Sequence, residues 1–331
     1  LSSKDTTPSQ INAVFEMLNG ELKNNFTIGI NDDVTNLSLK DKHIDIDLKA
    51  IELKIYGFGS DGMVSASKEL LKIVNEEKNK YVHGYFEYDS KKSGGVTVSN
   101  LRISDYEINA PYYITSPKMV VVTQDEYFHK YDMISNIKKD GIILINTSKN
   151  EEEINSLIRD EDKKIIKEKN IKVYYIDASK IASENNIKGK INKILELIIL
   201  NLFDIKDAYE ILCSRIKETF VTKGEEIVTN NINALASALD NLKIIENFTY
   251  NNDTITEELK IYEKINKRMG NNLKVSDLMP YRNGAFPCGL SKYEKRGISE
   301  FVPVWDRNKC IECNQCSLVC PHAVIRPLLL D

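Results

Sequence analysis

Between residues 49 and 177 the chain keeps changing its hydrophobic period, and this limits the folds open to it most. Six short runs are rich in β-branched and aromatic residues and read as strands: "KAIELKIYGF" (49–58), "KYVHGYFEY" (80–88), "GVTVSNLRI" (95–103), "PKMVVVTQ" (117–124), "GIILINT" (141–147) and "IKVYYID" (171–177). Helically spaced stretches separate several of them: "MVSASKELLKIVNEE" (63–77), "QDEYFHKYDMI" (124–134) and "NEEEINSLI" (150–158), with "SENNIKGKINKILELIIL" (183–200) after the last. Strands that alternate with helices bury both sheet faces, so the pattern predicts an α/β fold with a three-layer, mostly parallel sheet. Ahead of it, "TTPSQINAVFEML" (6–18) reads as a helix start, with Thr7 as cap, Pro8 at the first position and Gln10 closing a capping box. Beyond about residue 203 the pattern becomes helical, in "DIKDAYEILCSRIKETF" (204–220) and "KGEEIVTNNINALASALDNLK" (223–243). The divisions expected are a domain over 1–245, a polar connecting arm over 246–300 and a cysteine-rich segment over 301–331.

The chain has 331 residues, 42% of them hydrophobic, enough for a sizeable core. Lys+Arg 45 against Asp+Glu 49 leaves a net charge of −4, which excludes a global nucleic-acid footprint. The longest apolar run, "INKILELIIL" (191–200), is too short to cross a membrane and carries charge. No signal-peptide pattern opens the sequence, and the cytoplasm is the expected compartment. The first residue is Leu1 rather than Met, which leads us to expect an excised segment of a longer protein.

Four of the six cysteines stand close together, at Cys310, Cys313, Cys316 and Cys320, with Pro321 after the last. The spacing C-x2-C-x2-C-x3-C-P is the iron–sulfur run of bacterial-type ferredoxins. Two-residue gaps bring three thiolates of one loop to successive corners of a cluster, and the longer gap with Pro321 turns the fourth elsewhere. Cys310, Cys313 and Cys316 are therefore expected on one 4Fe–4S cluster and Cys320 on a second. The remaining ligands would come from another run, expected beyond Asp331, so the segment reads as half of a two-cluster ferredoxin. Zinc is the competing occupant, although zinc sites usually space two cysteine pairs a dozen or more residues apart.

A second signal is strand, glycine turn, helix: Gly57, Gly59 and Gly62 in G-x-G-x-x-G spacing at the end of the first strand. Glycines allow close backbone approach, and a helix N-terminus presents free N–H groups to an anion. Asp61 inside the turn would oppose a pyrophosphate unless it caps the helix. No carboxylate stands cleanly about twenty residues on, as a ribose contact would require. Instead Lys91 and Lys92 precede Ser93, Gly94 and Gly95, a pairing that suits phosphate groups. Two plain glycine turns with a solvated lysine pair are the alternative.

Taken together, "FTIGINDDVTNLSL", "YGFGSDGMVSASK", "GYFEYDSKKSGGVTVSNLR", "FPCGLSKYEKRGI" and "PVWDRNKCIECNQCSLVCPHAVIRP" resemble pyruvate:ferredoxin (flavodoxin) oxidoreductase along nearly the whole chain. The resemblance places the segment in the middle of that enzyme: a gamma-type 2-oxoacid oxidoreductase domain, an arm, and the start of an inserted ferredoxin domain. It implies that the full enzyme decarboxylates pyruvate on thiamine diphosphate and Mg, makes acetyl-CoA, and passes electrons through 4Fe–4S clusters to ferredoxin or flavodoxin. It implies a homodimeric parent, with the rest of the parent chain as this segment's partner. It also favours Gly57, Gly59, Ser60, Asp61, Lys91, Lys92, Ser93 and Gly94 as coenzyme A contacts rather than NAD contacts. The thiamine-binding regions lie outside this stretch, so the segment alone is not expected to turn over pyruvate. The family's "GANK" is "SASK" here: Ser65 replaces a glycine, where it could crowd a ligand, Ser67 replaces an asparagine, and Lys68 is kept. Cys288 stands where the family has threonine. The alternative is a diverged, non-catalytic scaffold of a redox complex. Cys213 falls on an apolar helical position and reads as core. Trp305, just before the cysteine loop, is expected to pack against the cluster and shield it. His43, His83 and His129 form no metal spacing, and His322, after the Cys-Pro turn, is as readily a surface residue as one that tunes a cluster.

Overall fold

The computed structural model describes residues 5–44, 46–59, 61–89, 95–187, 189–251, 260–290, 303–321 and 323–327. The chain divides into two units, residues 1–296 and 297–331. The first unit opens with α1 (Pro8–Leu18), where Thr7 and Gln10 form the expected capping box. Then come β1 (Ala50–Phe58), α2 (Met63–Lys78), β2 (Tyr81–Tyr88), β3 (Val96–Ser104), β4 (Met119–Val122) and β5 (Ile142–Asn146). They are followed by α3 (Glu151–Leu157), α4 (Asp160–Glu168), β6 (Lys172–Ile176), α5 (Ala178–Glu184) and α6 (Asn192–Leu202). The unit ends with α7 (Ala208–Phe220), α8 (Glu225–Asp240), β7 (Lys243–Ile245), α9 (Ile261–Asn266) and α10 (Val275–Leu278). The second unit holds α11 (Gln315–Val319).

Among the described residues the seven strands make one sheet in the order β2-β3-β1-β4-β5-β6-β7. The centre, β1, β4, β5 and β6, is parallel. β3 and β7 run against it, and β2 pairs antiparallel with β3. The α/β reading therefore holds, with five strands in one direction and two reversed. The period-2 pattern of β1 sends Leu53 and Ile55 to one face and Glu52, Lys54 and Tyr56 to the other. The first face packs on α2, α5 and α6, with α7 and α8 behind them, in one core that includes Leu70, Leu101, Val121, Ile194 and Leu212. Opposite, Tyr56 stacks on Tyr131, and Tyr175 donates to Glu151 of α3 at 3.3 Å. That gives the three layers.

Three local readings change. "QDEYFHKYDMI" forms only a 3-10 turn over Asp125–His129. Asp132 then accepts from the Ile134 and Ser135 backbones, an Asx turn that competes with a continuing helix. "SENNIKGKINKILELIIL" splits into parts of α5 and α6, because Asn186 and Gly189 adopt left-handed φ of 58° and 78° between them. The end of "NALASALDNLK" enters edge strand β7 rather than continuing as helix.

Charges lie inside as well. Arg102 is fully buried on β3. Its Nε pairs with Glu52 at 3.0 Å, and its Nη1 donates to the Ala110 and Tyr112 carbonyls at 3.0 and 2.8 Å. Lys138 reaches the other Glu52 oxygen at 3.0 Å. This set joins β1, β3 and two loops on the polar sheet face. On the other side, Lys193 bridges Glu69 at 2.8 Å and Glu196 at 2.9 Å. Burial pushes the Glu196 carboxyl up to about 7, while Lys193 pulls it down.

The arm after β7 is tied to the N-terminal segment. Val275 donates to the Asn31 carbonyl at 2.9 Å, and Asp33 accepts from the Ser276 backbone at 3.0 Å. Arg268 stands over the Tyr131 ring and pairs with Glu87 at 3.5 Å.

Removing Arg102 leaves Glu52 with Lys138 alone, so Arg102→Leu should cost about 3 kcal/mol in urea unfolding. Adding Glu52→Gln should restore part of that loss. Because folding raises the Glu196 pKa above its ordinary 4.5, the folded state holds the extra proton between that value and about 7. Its contribution is present at acid pH and is lost as pH rises through that window. Glu196→Gln should flatten this slope in a pH series of thermal melts.

Candidate functional site

In parallel sheets, ligands gather beyond the carboxyl ends of the strands, where the strand order reverses. Here the chain leaves β1 through α2 toward β2, while β4 stands on the other side of β1. The turn after β1 therefore lies at the switch point, and it is the glycine turn.

Asp61 organises that turn. Its carboxylate accepts from the Phe58 backbone at 2.7 Å, the Met63 backbone at 2.8 Å and the Thr123 hydroxyl at 3.0 Å. The residue that would have opposed an anion is thus spent on the first N–H of α2, at Met63, and on tying the turn to Thr123 at the end of β4. Burial pushes its pKa up, against the pull of those three bonds. The glycines are needed for space and for φ. A Cβ on Gly57 would lie 3.0 Å from Thr97 Oγ1 and 3.2 Å from Met63 Cβ. Gly62 takes φ 83° at the start of α2, facing Asn192 of α6. Gly59 donates to the Gly95 carbonyl at 3.0 Å. That contact brings the end of the "KKSGG" run against the first turn. Ser60, Lys91, Lys92, Ser93 and Gly94 lie outside the described residues.

The same sheet edge holds polar groups that the sequence reading missed. Thr147 donates to Asp125 at 2.6 Å, and Lys149 pairs with that carboxylate at 2.7 Å. Asn146 donates to the Thr123 carbonyl at 3.1 Å and accepts from Ala178 at 3.0 Å. Tyr127 donates to the Gly57 carbonyl at 3.2 Å. Their signal was position: each of Thr123, Asn146 and Thr147 ends or follows a buried strand.

The two family departures point in different directions. Ser67 is buried, and its hydroxyl donates to the Met63 carbonyl at 2.7 Å, inside α2. Ser65 is exposed and lines a cleft between α2 and α7 rather than filling the turn.

In the second unit all six cysteine thiols of the chain being reduced leaves the four of the run available as ligands. Left-handed backbone at Glu312 (φ 56°) and Asn314 (φ 57°) curls the chain around Cys313, and α11 then carries Cys316 toward Cys320. Cys310, Cys313 and Cys316 are exposed and Cys320 is half-buried. Among the described residues no three His, Cys, Asp or Glu side chains are drawn together closely enough to hold a metal ion. The donor set itself, four thiols on one curled loop, is the soft set that iron–sulfur clusters take. Trp305 is exposed. Cys213 is half-buried against the core, which raises its thiol pKa. Cys288 is exposed.

Residues 52–241, more than half of the chain, match the family model for pyruvate ferredoxin/flavodoxin oxidoreductase. The chain belongs to this family. Residues 302–325 match a 4Fe-4S binding domain, and residues 259–299 match a domain of unknown function. The pyruvate:ferredoxin oxidoreductase of Moorella thermoacetica is 40% identical, over 99% of this chain and 29% of that protein. The pyruvate-flavodoxin oxidoreductase of Enterobacter agglomerans is 36% identical, over 100% of this chain and 30% of that protein. The chain thus spans about a third of the length of these family members or less. A solved pyruvate oxidoreductase subunit of Thermotoga maritima aligns with a TM-score of 0.49 at 25% identity, over 60% of this chain and 99% of that one. Among the described residues of this family member, no helix is long and apolar enough to cross a membrane.

A methyl at position 57 overpacks the turn, so Gly57→Ala should cost about 1–3 kcal/mol. Among the described residues Gly59→Ala meets only the Gly95 carbonyl, at 3.4 Å, and should cost less. Urea unfolding of the two variants side by side checks the order.

Proposed function

We propose that this chain supplies coenzyme A recognition and part of the iron–sulfur relay to a larger pyruvate:ferredoxin or flavodoxin oxidoreductase. The reaction of the whole would turn pyruvate and CoA into acetyl-CoA and CO2, with two electrons leaving to ferredoxin or flavodoxin. The observation that carries the reading is the Asp61-held glycine turn at the switch point of the sheet, with Gly95 against it. Gly57, Gly59, Ser60 and Asp61 would shape one loop of the CoA site, and Lys91, Lys92, Ser93 and Gly94 the other. CoA, when bound, supplies the thiol that receives the acetyl group. The chain's own share is to orient the nucleotide end: backbone N–H groups and ammoniums meet phosphate oxygens, while Asp61 stays engaged in its turn.

Cys310, Cys313 and Cys316 would ligate one 4Fe–4S cluster and Cys320 another. Supporting this, none of the described residues 303–327 is buried, although Val304, Ile311, Leu318 and Val324 are large and apolar. These residues form no hydrophobic core of their own, so their order rests on metal, disulfides or a partner. Thiamine diphosphate and Mg would act elsewhere in the full enzyme, a homodimer in this reading. The division into a domain over 1–245, an arm over 246–300 and a ferredoxin half over 301–331 belongs to the same proposal.

Calorimetric titration with CoA, with NADH as control, tests the first part. Saturable CoA binding should weaken about tenfold or more in Lys91→Ala/Lys92→Ala, at roughly 1.4 kcal/mol per decade. NADH binding in place of CoA would refute it. Iron and sulfide reconstitution tests the second part. In the whole parent enzyme, Cys313→Ser should lower the iron content by one cluster's worth, and unchanged iron would exclude the ligand assignment.

A further inference from the structure

A cleft of about 430 Å³ opens between α2 and α7, apart from the glycine turn. Ser65, Lys68 and Lys72 line it from α2, and Arg215 and Thr219 line it from α7, with two carboxylates, Glu69 and Glu218. Residues 65, 68 and 72 recur at helical steps and share one face. Glu69 is already held by Lys193 at 2.8 Å, and Glu218 accepts from the Ser214 hydroxyl at 3.3 Å. Arg215 is pinned through Nη2 by Glu76 at 2.8 Å and Glu77 at 3.3 Å, and its buried Nε has no acceptor among the described residues. Lys72 lies 3.7 Å from Glu76. Lys68 stands over the Phe86 ring and has no carboxylate partner among the described residues.

The donors left over are an unpaired ammonium, a second ammonium in a long, exposed pair and two hydroxyls, with the Arg215 guanidinium beside them as a fixed positive charge. A carboxylate monoanion would use few of these. A phosphate carrying two charges and three acceptor oxygens would use most of them. The volume falls in the range of small-ligand clefts and leaves room for a sugar beside the phosphate. Ser65 stands in the first turn of α2, three residues beyond Gly62, so a ligand anchored at the glycine turn can enter the cleft along that helix.

We propose that the α2/α7 cleft binds a phosphomonoester dianion. Two sources share that chemistry. One is the 3′-phosphate of CoA lodged at the glycine turn, which rests on the functional reading above. The other is a free phosphate-bearing molecule.

The test is titration of the 331-residue chain with CoA, dephospho-CoA and inorganic phosphate at fixed ionic strength. It is repeated on Lys68→Ala/Lys72→Ala and on Thr219→Val, all exposed positions, with circular dichroism to check the fold. The expected result is CoA binding roughly tenfold tighter than dephospho-CoA, with the lysine variant erasing that difference and leaving dephospho-CoA unchanged. Thr219→Val should narrow it. If phosphate binds, the lysine variant abolishes it and CoA does not bind, the cleft stands and the CoA reading falls. Equal binding of CoA and dephospho-CoA without phosphate binding overturns the cleft and keeps the CoA reading. A CoA preference untouched by both variants, or no binding of any of the three, overturns the cleft.

Discussion

The structure depends on one constraint: a parallel sheet must be covered on both faces. Parallel neighbours cannot be joined by a tight hairpin, so each link among β1, β4, β5 and β6 leaves the sheet and crosses a face before returning. The crossings provide the cover, and they also return every central strand to the same edge. Thr123, Asn146, Thr147 and the glycine turn come from separate stretches of chain yet share that edge because their strands run in one direction. The candidate site is therefore a consequence of how the sheet is wound, and α2 begins at its reversal point.

Within this frame, charge placed in the interior fixes geometry. The Arg102–Glu52 pair spans β1 and β3 in register, since Glu52 and Arg102 are direct partners in the ladder. A slip of either strand by one residue would swing its charge onto the apolar face and part the pair. Asp61 acts in the same way at the turn: the neighbouring backbone N–H groups and Thr123 leave it one geometry. The cysteine unit follows other rules. With none of its described residues 303–327 buried, its order has to come from what its thiols hold or from what packs on it.

The amino-acid sequence by itself determined the elements with strong periodic patterns. β1 and α2 were legible because alternation or helical spacing persists over most of each element, β2 to β6 because β-branched and aromatic residues fill them, and α1 because its cap residues are local chemistry. The cysteine run and the glycine turn were legible for the same reason, since their meaning lies in short spacing. Weak or interrupted patterns were not legible: the Asp132 turn, the break at Asn186 and Gly189, and the short edge strand β7 are settled by hydrogen bonds that compete closely with helix. Only the tertiary structure decided that Asp61 ties the turn to Thr123, that Ser65 lines a cleft, and that Arg215 comes opposite Lys68 across it. Those facts join residues up to about 150 positions apart, and packing between helices, which no local pattern encodes, sets which of them meet.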